Sequence, residues 1–392
     1  MPRFPFISDH AHTVSSRIYS SLEKRARSQN DRIYPLHVGD TYREPIEAAQ
    51  AERQRTADHP GMHKYAPVQG EPGLIDAFID YVEGRHGESL DRERIQVMCG
   101  ATAGLSVVCQ VLLAPGDEVL LPSPFWPLSR GIIATKGAVP VQVPFFTRLG
   151  QPGFDPEAAL EGAVTDRTAA LYINTPHNPT GRVLSTATID AMLRVAKRHD
   201  LWVLCDEAYE EIYFDRDPPE AVWKRPDIRD RAIAFHTLSK TYGLAGARVG
   251  FTHGPASIMS AIMGMQTFHT YCAPRPMQIG AIEALRHGDP WIERSRIVYK
   301  DAGYQAADAL GVARPEGGTF LFLDVSAYLE PGADGCSAFL ERCADQGVLL
   351  TPGRSCGADY AKWVRLCFTA VPPAHLGEAL ARLAPVFRRP SC

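Results

Sequence analysis

In the segment Phe235-His-Thr-Leu-Ser-Lys-Thr-Tyr-Gly-Leu-Ala-Gly-Ala-Arg-Val-Gly250, one lysine, Lys240, follows two hydroxyls, Thr237 and Ser239, and precedes one arginine, Arg248. An amine beside hydroxyl donors and a guanidinium is the set needed to hold a phosphorylated aldehyde as an imine. Alone, the segment also fits a buried strand running into a glycine-rich loop, with Lys240 merely solvated. Four further stretches weigh against that simpler reading.

Cys99-Gly-Ala-Thr-Ala-Gly-Leu105 precedes an apolar, helix-like run from Ser106 to Leu113. Small residues admit an anion close to the backbone, and a helix N-terminus offers unpaired N–H groups. Ser123-Pro-Phe-Trp-Pro127 puts Trp126 just after a strand, where its indole either stacks on a planar ring or joins the core. Asn174-Thr-Pro-His-Asn-Pro-Thr-Gly181 is a loop shaped by two prolines and a glycine, and Asn178 has an amide N–H to give to a ring oxygen. In Leu204-Cys-Asp-Glu-Ala-Tyr209, Asp206 ends a strand expected to be buried, where a lone carboxylate is costly. It caps a following helix or meets a protonated pyridine nitrogen, and the two readings are compatible. Tyr209 then shares its side of a helical turn. Pyridoxal phosphate combines the ring, the aldehyde and the phosphate that these groups suit.

Together the strings Asn-x-Pro-x-Asn-Pro-Thr-Gly, Asp-Glu-x-Tyr and Ser-Lys-x-x-Gly, with an arginine eight residues past the lysine, resemble the class I and II aminotransferases. Spacings of 28 residues from Asn178 to Asp206 and 34 from Asp206 to Lys240 keep the family's order, and the likeness runs from about Leu36-His-Val-Gly-Asp40 to Val364-Arg-Leu-Cys-Phe368, nearly the whole chain. The resemblance implies PLP fold type I: a large domain, residues 46–290, with a mainly parallel sheet sandwiched by helices, and a smaller α+β domain from 1–45 and 291–392. It implies that Lys240 forms the imine with pyridoxal phosphate and later shuttles a proton. Asp206 keeps the ring nitrogen protonated, Asn178 and Tyr209 bond the ring hydroxyl oxygen, and Trp126 stacks on the ring. Ala101, Thr102, Thr237, Ser239 and Arg248 hold the phosphate. Tyr65 reaches the neighbouring subunit's phosphate in a homodimer with shared active sites. Arg365, with Asn178 and with Gly39 at its border, grips the substrate α-carboxylate, a task suited to a planar guanidinium. The implied reaction is ping-pong transfer of an amino group between an L-amino acid and a 2-oxo acid.

This chain departs from the family's pattern for acidic substrates. Where such members carry an arginine ahead of Pro274, it has Phe268, His269, Thr270 and Tyr271, and Thr102 stands where others carry a lysine. Aspartate and glutamate thereby lose their anchor, which favours a neutral or aromatic side chain, with His269 and Arg275 as remaining polar candidates. Gly-Asp-Thr-Tyr42 also replaces the commoner Gly-x-Pro at the entrance.

The elements that must position these residues follow from patterning. Apolar runs at 118–122, 139–143, 169–174, 201–206, 232–237 and 248–252 alternate with amphipathic stretches such as Ser185–His199, which predicts parallel strands covered on both faces. A long helix over 290–310, strands at 319–323 and 363–368, and helices near 336–345 and from His375 predict the smaller unit. An amphipathic helix over 14–27 is expected to pack on it. At 392 residues, two domains are the default. A net charge of −4 argues against nucleic acid or anionic membrane as partner. The start shows no secretory pattern. Nine scattered cysteines without a Cys-x-x-Cys pair suit reduced thiols in a cytoplasm, not a disulfide framework or metal site.

Three rivals arise. Gly353-Arg-Ser-Cys-Gly357 fits the Gly-x-Ser-x-Gly of serine hydrolases, but only Asp359 and His375 follow as partners and 363–368 reads as a strand rather than a helix. A cofactor-binding DNA regulator needs a basic helical module, for which the stretch before Gly39 leaves little room. Another reaction on the same cofactor, such as β-elimination, cyclisation or oxidation, shares every cofactor motif.

Overall fold

The computed structural model describes residues 20–388. Seven strands form one sheet: β1 (Ile95–Met98), β2 (Glu118–Ser123), β3 (Val139–Pro144), β4 (Thr168–Asn174), β5 (Trp202–Asp206), β6 (Ala232–Thr237) and β7 (Gly250–His253), in the order β1-β7-β6-β5-β4-β2-β3. β7 runs antiparallel to both neighbours, and the β2–β3, β2–β4, β4–β5 and β5–β6 pairs are parallel.

Burial on both faces explains the unbroken apolar runs. Successive side chains of a strand point to opposite faces. Leu171, Ile173, Val203, Cys205, Ala232 and Ala234 join a core shared with the helices Pro72–His86 and Thr186–Arg198. Tyr172, Leu204, Ile233 and Phe235 join a second core with the helix Ala101–Leu112. Each fully buried aliphatic or aromatic side chain contributes about 1.5–3 kcal/mol. The same alternation puts Tyr172, Asn174, Asp206 and Thr237 on the second face, at or near the C-terminal strand ends where ligands of open α/β sheets bind. Register places Asn174 beside Asp206, and Asp206 beside Phe235.

A second, three-stranded antiparallel sheet has the order β8-β10-β9, with β8 Phe320–Asp324, β9 Thr351–Pro352 and β10 Trp363–Cys367. It packs with the helices Asp289–Leu310, Ser337–Asp345 and Pro373–Leu383 around a separate core that also takes in Tyr34 and Leu36. The helix Ser20–Gln29 lies against Ser337–Asp345: Ala26 packs with Ala344 and Leu349, and Arg25 Nε donates to Asp345 Oδ1 at 2.6 Å. The expected helix over 14–27 therefore ends later than anticipated, and its first residues lie outside the described ones.

Local expectations are corrected at three points. The helix after the small-residue loop starts at Ala101, not near Ser106, because Gly100 at φ 82° turns the chain straight into it. No helix follows Asp206; residues 208–211 form turns, and Asp206 Oδ1 accepts the Ala208 N–H at 3.1 Å instead of capping a helix. Arg248 is not in β7 but in a left-handed turn before it, at φ 53°.

Gly250, at the start of β7, is required by crowding. A Cβ there would stand 2.4 Å from the His236 carbonyl oxygen and 2.9 Å from the Gly100 Cα. Gly250→Ala is expected to cost about 1–3 kcal/mol, seen as a lower urea midpoint with unchanged slope. An unchanged midpoint would show that β6 and the Gly100 turn relax freely.

Candidate active site

Lys240 sits on a one-turn helix, Leu238–Thr241, that follows β6 directly. Thr237 caps that turn: its Oγ1 accepts the Ser239 N–H at 3.2 Å and donates to Ser239 Oγ at 2.9 Å. The lysine side chain is only 16% exposed and donates to the Gly39 carbonyl oxygen. Burial lowers its pKa, and the Arg248 and Arg365 charges add to that, against Asp40 and Cys367. More of the amine is thus neutral and nucleophilic than in a free lysine.

A cavity of about 250 Å³ opens at Lys240. Gly39, Ala101, Thr102, Trp126, Asn178, Asp206, Tyr209, Thr237, Ser239, Arg248 and Arg365 line it with Lys240, so of the sequence-derived candidates only Tyr65, His269 and Arg275 lie outside it. Tyr65 is 81% exposed and lies with Thr270 and Arg275 in a separate surface hollow, its ring 4.9 Å from that of Tyr271. His269 is exposed, and Arg275 is already paired with Glu71 at 2.7 Å; neither reaches the cavity of its own chain.

Ala101 and Thr102, which line the cavity, begin a helix that no side chain caps, so its first N–H groups and dipole suit an anion there. Arg248 completes the site, held by hydrogen bonds to the Ala245 carbonyl at 2.8 Å and the Cys99 carbonyl at 3.3 Å. A left-handed arginine costs about 1–3 kcal/mol, a strain consistent with a fixed clamp. Gly100 precedes the helix at φ 82°, a conformation that favours glycine, and a Cβ there would lie 2.8 Å from the flexible end of the Arg248 side chain.

Asp206, also in the lining, is buried. Burial raises its pKa, opposed by the Tyr172 hydroxyl, the Ala208 N–H and the nearby His236. Tyr172 donates to Asp206 Oδ2 from the same sheet face. Asn174 ties the region together: its Nδ2 donates to the Asp206 carbonyl at 3.0 Å and its Oδ1 accepts the Asn178 N–H at 2.9 Å. Tyr209 is buried, which raises its phenol pKa and keeps it a proton donor at neutral pH.

Toward β10, the Arg365 guanidinium donates from Nη1 to Asn178 Oδ1 at 3.0 Å and from Nη2 to the His37 carbonyl at 3.1 Å. It lies 4.4 Å from the centroid of the Phe320 ring. Arg365 is 6% exposed and makes no ion pair among the described residues; its Nε has no hydrogen-bond partner. A buried cation without an anion is costly, and a substrate carboxylate would relieve it.

Sequence reasoning missed Tyr172, the bridging role of Asn174, and the lining residues Ala208, Ala245 and Phe320. Parity on β4 held a signal for Tyr172, two residues before Asn174 and therefore on its face. The others carry no local signal, since only the packing of β8 and the turns brings them to the cavity. The Gly353–Cys356 segment is a 3-10 turn in which Ser355 Oγ donates to the Pro352 carbonyl at 2.7 Å, so it is no nucleophile elbow.

The donor set fits pyridoxal phosphate. Hydroxyls and a guanidinium that suit an anion, a desolvated amine and a buried carboxylate are arranged around one cavity. When bound, that cofactor supplies an electron sink for charge developing on the substrate carbon.

Comparison with known proteins agrees. The family model for aminotransferase class I and II matches residues 33–383. The chain is 32% identical over 365 residues to the arginine–pyruvate transaminase of Pseudomonas aeruginosa, covering 91% of this chain and 90% of that one. It is 30% identical over 376 residues to the aspartate/prephenate aminotransferase of Thermus thermophilus, covering 93% of each. Among solved structures, a double mutant of the Thermus thermophilus aspartate aminotransferase superposes with a TM-score of 0.87 at 27% identity, covering 98% of this chain and 100% of that one. The N-succinyldiaminopimelate aminotransferase of Mycobacterium tuberculosis gives 0.88 at 26%, covering 97% and 100%. The chain belongs to the class I and II aminotransferases, enzymes of PLP fold type I that depend on pyridoxal phosphate.

Proposed function

We propose that this aminotransferase acts on L-amino acids with neutral or aromatic side chains, passing the amino group to a 2-oxo acid in a ping-pong cycle. The observation that carries the reading is the cation inventory of the cavity. Its lining holds Lys240, Arg248 and Arg365 and no other lysine or arginine. Each has a task, as amine, phosphate clamp and α-carboxylate fork, so the chain's own lining leaves a distal carboxylate without a partner, and Phe268, His269, Thr270 and Tyr271 bring no arginine from the segment ahead of Pro274. Trp126 and Phe320 offer apolar surface there. The named relatives include enzymes for arginine and for aspartate, so side-chain preference follows from the cavity and not from the family.

In this reading Arg365 and Asn178 orient the α-carboxylate in both half-reactions, beside Gly39. Lys240 would take the proton from the substrate carbon at its Nζ and later give it up again. Asp206, backed by Tyr172, keeps a proton on the ring nitrogen, Asn178 and Tyr209 serve the ring hydroxyl oxygen, and Trp126 covers one ring face. Residues 46–290 act as the large domain, with 1–45 and 291–392 as the small one.

The reading includes a homodimer in which Tyr65 serves the partner's phosphate site. Support comes from its absence from the lining of its own cavity and from the exposure of Tyr65 against Tyr271. A cytoplasmic setting is supported by eight free cysteines among the described residues, and no described helix is long and apolar enough to cross a membrane.

Single-turnover mixing of the cofactor-loaded protein with a panel of amino acids tests the preference. The pyridoxamine form should accumulate with aromatic or neutral amino acids at least about tenfold more readily than with aspartate or glutamate, the scale of about 1.4 kcal/mol. Preference for the acidic pair would contradict it, and ammonia release in place of the pyridoxamine form would replace transamination with elimination or oxidation.

A further inference from the structure

Asp40 follows Gly39 in the segment that crosses the mouth of the cavity, and it is an ionisable group to which neither the cofactor nor the substrate reading gives a task. Its Oδ1 lies 4.0 Å from Lys240 Nζ, while the amine donates to the neighbouring Gly39 carbonyl. The segment is pinned from β10 and its continuation. Thr369 Oγ1 donates to the Asp40 carbonyl at 2.7 Å, the Cys367 thiol donates to the same oxygen at 3.5 Å, and the Cys367 N–H donates to the Leu36 carbonyl at 2.7 Å. Asp40 Oδ1 also accepts the Thr41 N–H at 2.8 Å, which fixes its rotamer toward the lysine. The carboxylate is therefore held at the amine by backbone on both sides, although its side chain is 45% exposed.

We infer that Asp40 is a positioning residue that sets the proton affinity of Lys240 and stabilises the ammonium formed when the lysine takes the substrate proton. This rests on the assignment of Lys240 as the catalytic amine. The balance is simple: the proton leaves the substrate carbon for Nζ, the positive charge is shared between the Gly39 carbonyl and the Asp40 carboxylate, and the same proton is later returned. No other reactant is involved.

The groups facing Nζ divide cleanly. Arg248, from the turn before β7, and Arg365, from β10, disfavour the ammonium, as does burial; Asp40 and Cys367 favour it. Asp40 is the only carboxylate among these charges, so it opposes two guanidinium groups. Two unit charges 4 Å apart interact by about 1 kcal/mol even in water-like surroundings, which corresponds to roughly a fivefold change in the protonated-to-neutral ratio, or about 0.7 pH unit. Removal of a negative charge beside a cationic acid lowers its pKa, so the shift is downward.

The test follows, against pH, the rate at which the full-length protein freed of cofactor forms the imine with added pyridoxal phosphate, which reports the neutral fraction of the Lys240 amine. Asp40→Asn, which keeps an acceptor for the Thr41 N–H, should lower the titration midpoint by about 0.7 unit. Asp40→Ser serves as a second neutral variant should the first not fold, and Asp40→Glu, which keeps the charge, should restore most of the midpoint. A midpoint unmoved in the neutral variants, or moved as far by Asp40→Glu, overturns the assignment. Borohydride reduction of the same samples separates this from an error about the amine. A label on Lys240 with an unmoved midpoint removes only the role of Asp40, whereas a label elsewhere removes the Lys240 assignment itself.

Discussion

Lys240→Ala is expected to cut turnover by about 10⁴-fold, the upper end for a positioned acid–base group, because among the described residues no other amine lines the cavity to accept the substrate proton. Cofactor should still bind, since Arg248, Ser239, Thr237 and the uncapped start of the helix Ala101–Leu112 keep the anion site, and Asp206 keeps the ring site. Kinetics and binding should therefore part company. Equilibrium dialysis would find cofactor retained, and stopped-flow absorbance would find the half-reaction stalled. Full activity in the variant would show that some other group does the proton transfer. Loss of cofactor binding together with activity would mean that the covalent link, not the cradle, provides most of the affinity.

Arg365→Ala is expected to have the second-largest effect, and a different signature. The guanidinium is buried, makes no ion pair among the described residues and is already aimed by Asn178, the His37 carbonyl and Phe320. Losing one member of a desolvated charge pair costs about 2–5 kcal/mol, or roughly 30- to several-thousand-fold in the specificity constant. Most of this should appear in the amino-acid concentration needed for half-maximal rate. Arg365→Lys should recover only part, because a point charge cannot reproduce a planar two-pronged contact. Dependence on amino-acid concentration that matches the unaltered protein would remove Arg365 from the substrate site.

The candidate site was legible where function forces unusual strings. Asn174 to Gly181, Asp206 to Tyr209 and Ser239 to Arg248 each demand more than a turn or a strand would, and their order along the chain matches strand ends brought together by parallel pairing. The strands were legible because β4, β5 and β6 are buried on both faces, so their apolar runs are unbroken. What stayed hidden was what distance in sequence hides. Phe320 faces Arg365 only because β8 pairs with β10, and Asp40 meets Lys240 only because Cys367 and Thr369 hold its backbone. The turn after Asp206 was misread as helical because a carboxylate after a strand signals a cap, whereas here Asp206 accepts the Tyr172 hydroxyl as well as the Ala208 N–H.

Borohydride reduction of the protein with pyridoxal phosphate, followed by peptide mapping, tests the chemistry of Lys240 most directly. The expected outcome is a single modified peptide carrying the reduced cofactor on Lys240, and none in Lys240→Ala. A cofactor fixed to another lysine, or a protein that stays unlabelled, would contradict the central claim that this desolvated amine is the one that does the work.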